Sequence, residues 1–363
     1  AATTQETIRA ATGRNWEHLS VKGREFSVII CTFNGASRIE QVLTALAELN
    51  PGTVHEIILV DNCSTDGVAT VASTVWNRIA RQPVDFRIIF EPTLGLSAAR
   101  RAGVRAATRD LVVFCDDDNL LAPNYLEVAA SIMADETIGA AGGVAMPIMG
   151  GEATPIFLSY AGWYAVGVQA LDGGDIDLLW GAGIVVRRKL LVQLYDTPGF
   201  PVLVGRRGSA LTTGEDHEIC YGVSFLGHRL WYDERLTFRH IIPSERISEI
   251  YIRRMLEGVK LARPIVNLYA ELHKITNETF QQRLRSILSA TARLPMFVQR
   301  RDARFFGLIA RFRMTFLMTF EERAIFEIFC SLRKSRRREG VRTKSHAAAA
   351  FRRRLNFLNP TVE

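Results

Sequence analysis

Three consecutive carboxylates, Asp116, Asp117 and Asp118, close an apolar run that begins at Val112. Adjacent like charges disfavour one another's ionisation, so such a cluster asks for a cation. Hard divalent ions such as Mg²⁺ take oxygen ligands, usually one or two carboxylates together with substrate phosphates. A solvated turn would use the same residue types, since Asp and Asn are common in loops and helix caps. The cluster alone leaves both readings open. A second acidic group, Glu215-Asp216, follows Gly214 and opens a later helix, where acids also complement the helix dipole. His240 ends a late apolar stretch.

The elements that must hold these groups follow a regular order. Phe26–Cys31, Glu56–Val60, Phe86–Phe90 and Val112–Cys115 are short apolar runs of buried-strand type. Between them lie a helix from about Ser37 with Ile39, Val42, Leu43, Leu46 and Leu49 at helical spacing, a helix ending near Arg81, and one through Ala98 to Ala106. Strand–helix alternation with short loops predicts an α/β domain, a mostly parallel sheet flanked by helices on both faces. Ligands of such sheets lie beyond the carboxyl ends of the strands, where Asp61 and the aspartate cluster fall.

Further on, the pattern predicts a helix over 124–134 and a strand over 138–146. Residues 147–177, with Tyr160, Trp163 and Tyr164, read as an irregular segment suited to an acceptor pocket. Residues 178–186 are strand-like, 201–213 form a loop, and 229–232 and 236–240 are two short strands. From about Ser244 the chain is helical. The expected division is a lead-in over 1–24, the α/β domain over 25–245, and a basic helical region over 246–363.

The chain has 363 residues and a formal net charge of +7. Much of the excess lies late, in Arg333, Lys334, Arg336, Arg337, Arg338, Arg342, Lys344, Arg352, Arg353 and Arg354. Basic amphipathic helices of this kind lie on anionic membrane surfaces, or pack on a domain with a solvated basic face. No nucleic-acid recognition motif accompanies the charge, so nucleic acid is not the expected partner. The five cysteines are scattered, without paired Cys-x-x-Cys spacing, which points to a reducing compartment and away from a zinc site. No run approaches the roughly 20 apolar residues of a membrane span. The expectation is a cytoplasmic protein, soluble or peripheral on the inner face of the membrane.

Taken in order, Val28-Ile29-Ile30-Cys31-Thr32-Phe33-Asn34, Leu59-Val60-Asp61 through Gly67, Gly95-Leu96-Ser97-Ala98-Ala99-Arg100, the triple Asp, Trp180-Gly181-Ala182-Gly183 and Gly214-Glu215-Asp216 resemble the family 2 glycosyltransferases, which have the GT-A nucleotide-diphospho-sugar transferase fold. The resemblance runs from about Phe26 to His240. It implies an inverting enzyme that moves a sugar from a nucleotide-sugar donor, UDP-linked by the match of Asp61 with dTDP- and GDP-sugars as alternatives, to a saccharide or lipid-linked acceptor hydroxyl. By the same resemblance Thr32, Phe33, Asn34, Asp61 and Arg100 contact the nucleotide. Asp116 contacts ribose or metal-bound water, Asp117 fills the variable position, and Asp118 is the direct ligand of a divalent metal, Mn²⁺ or Mg²⁺. His240 would add a nitrogen ligand, which favours Mn²⁺. Asp216 is the implied general base, with Glu215 orienting it or the acceptor. Transfer to a polyprenyl phosphate, a sugar-nucleotide pyrophosphorylase, and an inactive membrane-associated scaffold are the alternatives. The pyrophosphorylase fits least, because Thr32-Phe33-Asn34-Gly35-Ala36 makes a poor phosphate loop.

Overall fold

The computed structural model describes residues 25–277 except 82 and 209, together with 328, 329, 331 and 332. The lead-in over 1–24 and nearly all of the basic tail lie outside the described residues. The first half alternates as expected: β1 (Phe26–Thr32), α1 (Ile39–Ala47), β2 (Val54–Asp61), α2 (Val68–Ile79), β3 (Asp85–Phe90), α3 (Leu96–Ala106) and β4 (Leu111–Asp116). Then come β5 (Asn119–Leu121), α4 (Tyr125–Ile132), β6 (Ile138–Met149), α5 (Pro155–Ser159), a 3₁₀ turn at Ala161–Tyr164, β7 (Gly174–Ile176) and β8 (Val185–Arg187). The described chain continues through α6 (Arg188–Tyr195), α7 (Glu215–Phe225), β9 (Arg229–Ile242), α8 (Ser244–Ile247) and α9 (Glu249–Asn277).

The strands form one sheet in the order β3-β2-β1-β4-β8-β6-β9-β5, with β7 on β9. The β3-β2-β1-β4 half is wholly parallel. Beyond β4 the sheet is mixed, because β8 runs antiparallel to both β4 and β6 while β6 and β9 are parallel. Successive side chains of a strand point to opposite faces, and the buried residues of β1, β2 and β4 divide accordingly. Val28, Ile30, Ile57, Leu59, Val113 and Cys115 pack under α1, α2 and α4. Ile29, Ile58, Val60, Val112 and Phe114 face α3, α6, α7 and α9. Continuous apolar strands are required because both faces are covered.

Two stretches differ from the sequence expectation. The run over 178–186 is strand only at Val185–Arg187. Ahead of it Gly183 takes a φ of +71°, and its N–H bonds the Phe114 carbonyl, so Trp180 and Gly181 turn across the end of β4. The two short strands over 229–240 are one strand, β9, whose pairing with β6 shifts register between Gly142 and Val144. Gly143 permits that shift: a β-carbon there would lie 1.8 Å from the Leu236 carbonyl oxygen.

The helical region after β9 packs on the α/β core. Tyr269 of α9 stacks on Tyr221 of α7 at 5.8 Å, and Phe329 meets Phe225 edge-on at 4.8 Å. No helix among the described residues is long and apolar enough to cross a membrane.

Candidate active site

Register gathers the strand ends. Thr32 lies opposite Asp61, Cys31 opposite Asp116, and Asn119 of β5 opposite His240 of β9. A cavity of about 610 Å³ opens over this edge. Thr32, Phe33, Arg100 and the three aspartates line it, together with Glu215, Asp216, His240, Trp163 and Trp180. The sequence places Thr32 and His240 more than two hundred residues apart, and the fold brings the whole group to one concavity.

Asn34 and Asp61 lie beside the cavity rather than on its wall. Asp61 Oδ1 accepts the Ser64 N–H at 2.9 Å, and Asn34 Oδ1 accepts the Thr65 N–H at 2.8 Å. The first bond folds the loop after β2 on itself, and the second laces it to the loop after β1. Asn62, which the motif reading passed over, secures the next loop. Its amide donates to the Glu91 and Thr93 carbonyls and its oxygen accepts the Gly95 N–H, which fixes the entry to α3 and so Arg100.

The three adjacent aspartates have three different surroundings. Asp117 turns to β1: Thr32 Oγ1 donates to it at 2.6 Å and Arg38 Nη2 at 2.8 Å. Burial, then the Asp118 charge, push its carboxyl up against those two donors. Asp116 faces Arg100 at 3.8 Å; burial raises it, Arg100 offsets part of that, and Asp118 adds to the rise. Asp118 takes hydrogen bonds from Asn119 Nδ2 on Oδ1 and from Arg246 Nη1 on Oδ2, both at 2.7 Å, with His240 Nε2 3.5 Å from Oδ1. Burial alone would raise Asp118, but His240, Arg246 and Asn119 hold it well below the usual carboxylate range.

Arg100 links the aspartates to the other acidic pair. Its guanidinium lies 5.0 Å from the Phe114 ring centroid, 3.8 Å from Asp116 and 3.7 Å from Glu215. Buried Nε and Nη1 make no hydrogen bond among the described residues, which leaves donors for an anion. Burial, followed by the Asp216 charge, pushes Glu215 up, and its Oε2 is buried without a hydrogen-bond partner. Asp216 is held at both oxygens by backbone, Gly181 N–H at 3.1 Å and His217 N–H at 2.9 Å. Helix α7 begins at Gly214 with φ +98°, a conformation suited to glycine, and this turn aims the acidic pair at the cavity.

Residues the sequence reading missed are mostly cations. Arg38, Arg206 and Arg246 all line the cavity. Arg206 belongs to the loop after α6, which is anchored by Glu218. That carboxylate accepts the Val202 and Leu203 N–H groups at 2.9 and 2.7 Å and the Tyr269 hydroxyl at 2.8 Å. Burial nonetheless pushes it from 4.5 to about 7. A carboxyl whose pKa rises on folding binds its proton more tightly in the native state. Its stability contribution is full below about pH 4.5 and is lost as pH rises through about 7, a change of about 3 kcal/mol. Denaturant melts of the wild type and Glu218→Gln at pH 5 and pH 8 are expected to show this. The wild type loses about 2.5 kcal/mol more than the variant between the two pH values. Parallel losses would show that Glu218 does not titrate in this window.

Residues 27–194 match the family model described as "Glycosyl transferase family 2". Over that stretch the chain is similar to the family 2 glycosyltransferases. Among curated relatives, the chain is 28% identical over 111 residues to the putative glycosyltransferase EpsH of Bacillus subtilis, covering 31% of each chain. It is 27% identical over 110 residues to the poly(ribitol-phosphate) beta-N-acetylglucosaminyltransferase TarS of Staphylococcus aureus, over 30% of this chain and 19% of TarS. The chain thus spans a third or less of the length of these two relatives. Among solved structures, the mannosyltransferase PcManGT of Pyrobaculum calidifontis, in complex with GDP-Man and Mn²⁺, superposes with a TM-score of 0.48 at 16% identity. That match covers 99% of this chain and 94% of PcManGT.

No three His, Cys, Asp or Glu side chains among the described residues converge on one metal position. The donor types nonetheless suit a divalent ion: Asp118 and His240 lie side by side, both more than nine-tenths buried, and His240 Nδ1 is buried without a hydrogen-bond partner. The Arg246 guanidinium occupies the other oxygen of that carboxylate, Asp118 Oδ2.

Proposed function

We propose that the protein is an inverting glycosyltransferase that moves a sugar from a nucleoside-diphosphate donor, UDP-linked, to an acceptor hydroxyl. The match of residues 27–194 to the family 2 model supports the reaction class. The observation that carries the reading is that one cavity is lined by both the Asp116–Asp118 cluster and the backbone-held Asp216, with Arg100 within 4 Å of both Asp116 and Glu215.

In this reading Thr32, Phe33, Asn34 and Asp61 hold the nucleotide base and Asp116 the ribose. Asp118, with Asp116 and His240, would hold Mn²⁺ or Mg²⁺, which when bound supplies Lewis-acid stabilisation of the departing diphosphate. Arg100 offers its unfilled donors to the same diphosphate. An acceptor hydroxyl is a poor nucleophile until a base begins to take its proton. Asp216 Oδ1 and Oδ2 each spend one lone pair on a backbone N–H and keep another for that proton. Attack from this side, opposite the diphosphate, inverts the anomeric carbon in one displacement. Trp163, half exposed at the mouth, and Trp180 deeper in the wall offer apolar faces to a saccharide or lipid-linked acceptor.

Thermal melts with nucleoside diphosphates test the donor assignment. UDP with Mn²⁺ at about one hundred times its Kd is expected to stabilise the protein by about 2.7 kcal/mol, a rise of several degrees in Tm. ADP with Mn²⁺ is expected to give less than half of that rise. An unchanged Tm with UDP, GDP and dTDP alike would remove the nucleotide-sugar reading.

A further inference from the structure

Arg246 sits on α8, the short helix that follows Pro243 at the end of β9. It lies 128 residues from Asp118, yet its Nη1 donates to Asp118 Oδ2 at 2.7 Å, with side chains 17% and 5% exposed. Asp118 Oδ1 is engaged by Asn119 and lies next to His240. The carboxylate on which the metal reading depends is therefore already neutralised by a guanidinium. Two cations on one buried carboxylate repel strongly, because the surroundings screen poorly. A divalent ion and Arg246 compete for Asp118.

Arg246 is also not isolated. Its backbone carbonyl accepts the Tyr164 hydroxyl at 2.7 Å, and the Tyr164 ring lies 6.1 Å from that of Tyr251. Tyr164, Arg246 and Tyr251 all line the cavity, Tyr164 on the irregular segment that carries Trp163. Arg38 provides the contrast. It is bound to Asp117, which also holds Thr32, so Arg38 pins a loop rather than the candidate metal ligand.

We infer that Arg246 is the resident counter-cation of Asp118, exchanged for the divalent ion when the nucleoside diphosphate binds, and that the released guanidinium then holds the diphosphate. This inference rests on the metal reading proposed above. The exchange keeps a buried carboxylate paired in both states, which avoids the cost of an uncompensated buried charge. A guanidinium suits the second role, since its planar fork pairs two oxygens of a phosphate at once. Through Tyr164 the same exchange acts on the segment placed for the acceptor, so donor binding would be felt where the acceptor enters.

Binding of Mn²⁺, followed by its free-ion electron paramagnetic resonance signal, tests the exchange without reference to turnover. Arg246→Gln is expected to bind Mn²⁺ alone about tenfold tighter than the wild type, or about 1.4 kcal/mol. In saturating Mn²⁺ it is expected to bind UDP about tenfold more weakly, by titration calorimetry. Arg38→Gln is expected to change Mn²⁺ affinity by less than about threefold, a difference of about 0.6 kcal/mol. An equal gain in Arg38→Gln would mean simple loss of positive charge and would overturn the exchange. So would an unchanged or weaker Mn²⁺ affinity in Arg246→Gln while the wild type binds the ion. Absence of Mn²⁺ binding by the wild type, even with UDP, would instead remove the metal reading and this inference with it. Should Arg246→Gln not fold, as judged by circular dichroism, Arg246→Lys decides. It keeps a cation on Asp118 and loses the fork, so Mn²⁺ affinity should hold while UDP affinity falls; UDP affinity equal to the wild type overturns the second role.

Discussion

Asp216→Asn is expected to lower turnover with a hydroxyl acceptor by roughly 10²–10⁴-fold, the usual contribution of a general base. UDP affinity should stay near the wild-type value. Two backbone bonds hold Asp216. Gly181 N–H reaches one oxygen and His217 N–H the other, so the carboxylate is fixed and both oxygens act as acceptors. An asparagine keeps one acceptor and presents its amide N–H₂ to a backbone donor, which twists the side chain or breaks one bond. Neither form takes up a proton. Glu215 does not substitute for it: it faces Arg100, and burial pushes its carboxyl up, which makes it the weaker candidate for an ionised base. The measurement is steady-state release of UDP with and without acceptor. Full turnover in Asp216→Asn would point to an acceptor that arrives as an anion and needs no base, such as a polyprenyl phosphate.

How much of this site could be read in the chain depends on how far each contact reaches. β1, β2 and β4 are legible because strands covered on both faces must be apolar throughout, and each runs into a polar residue where the sheet ends: Thr32, Asp61, Asp116. Glu215-Asp216 is legible because Gly214 marks the helix start. The cations that determine the state of the aspartates are not. Arg38 and Arg246 lie 79 and 128 residues from their partners, and nothing local distinguishes either from a solvated surface arginine. The break that divided β9 in the sequence reading is Asp233-Glu234-Arg235, a charged interruption of the kind that ends a strand. Here Asp233 accepts the Arg235 N–H and pairs with its guanidinium, so the strand runs on across a register shift that Gly143 makes room for. The loop before α7 is likewise set by Glu218, whose three hydrogen-bond partners come from two other elements.

Asp118→Asn is expected to act opposite to Arg246→Gln on metal binding, and the pair of variants separates charge from shape. Asparagine keeps an oxygen toward Asn119 or Arg246 but carries no charge. The native carboxylate is held ionised far below neutral pH by His240, Arg246 and Asn119 despite its burial, so the variant removes a full charge at every usable pH. Mn²⁺ affinity should fall by at least about a hundredfold, roughly 2.7 kcal/mol, and turnover by a similar factor or more. Stability should fall as well. Arg246 keeps a mostly buried guanidinium without its counter-charge, a loss that for a broken buried pair runs to roughly 3–5 kcal/mol and is moderated here by the retained amide oxygen. The double variant Asp118→Asn with Arg246→Gln removes both charges, so it should recover much of that stability while Mn²⁺ binding stays lost. Recovery of stability without recovery of the metal is what a carboxylate shared between a guanidinium and a divalent ion requires. Mn²⁺ affinity unchanged in Asp118→Asn would move the metal to another ligand set altogether.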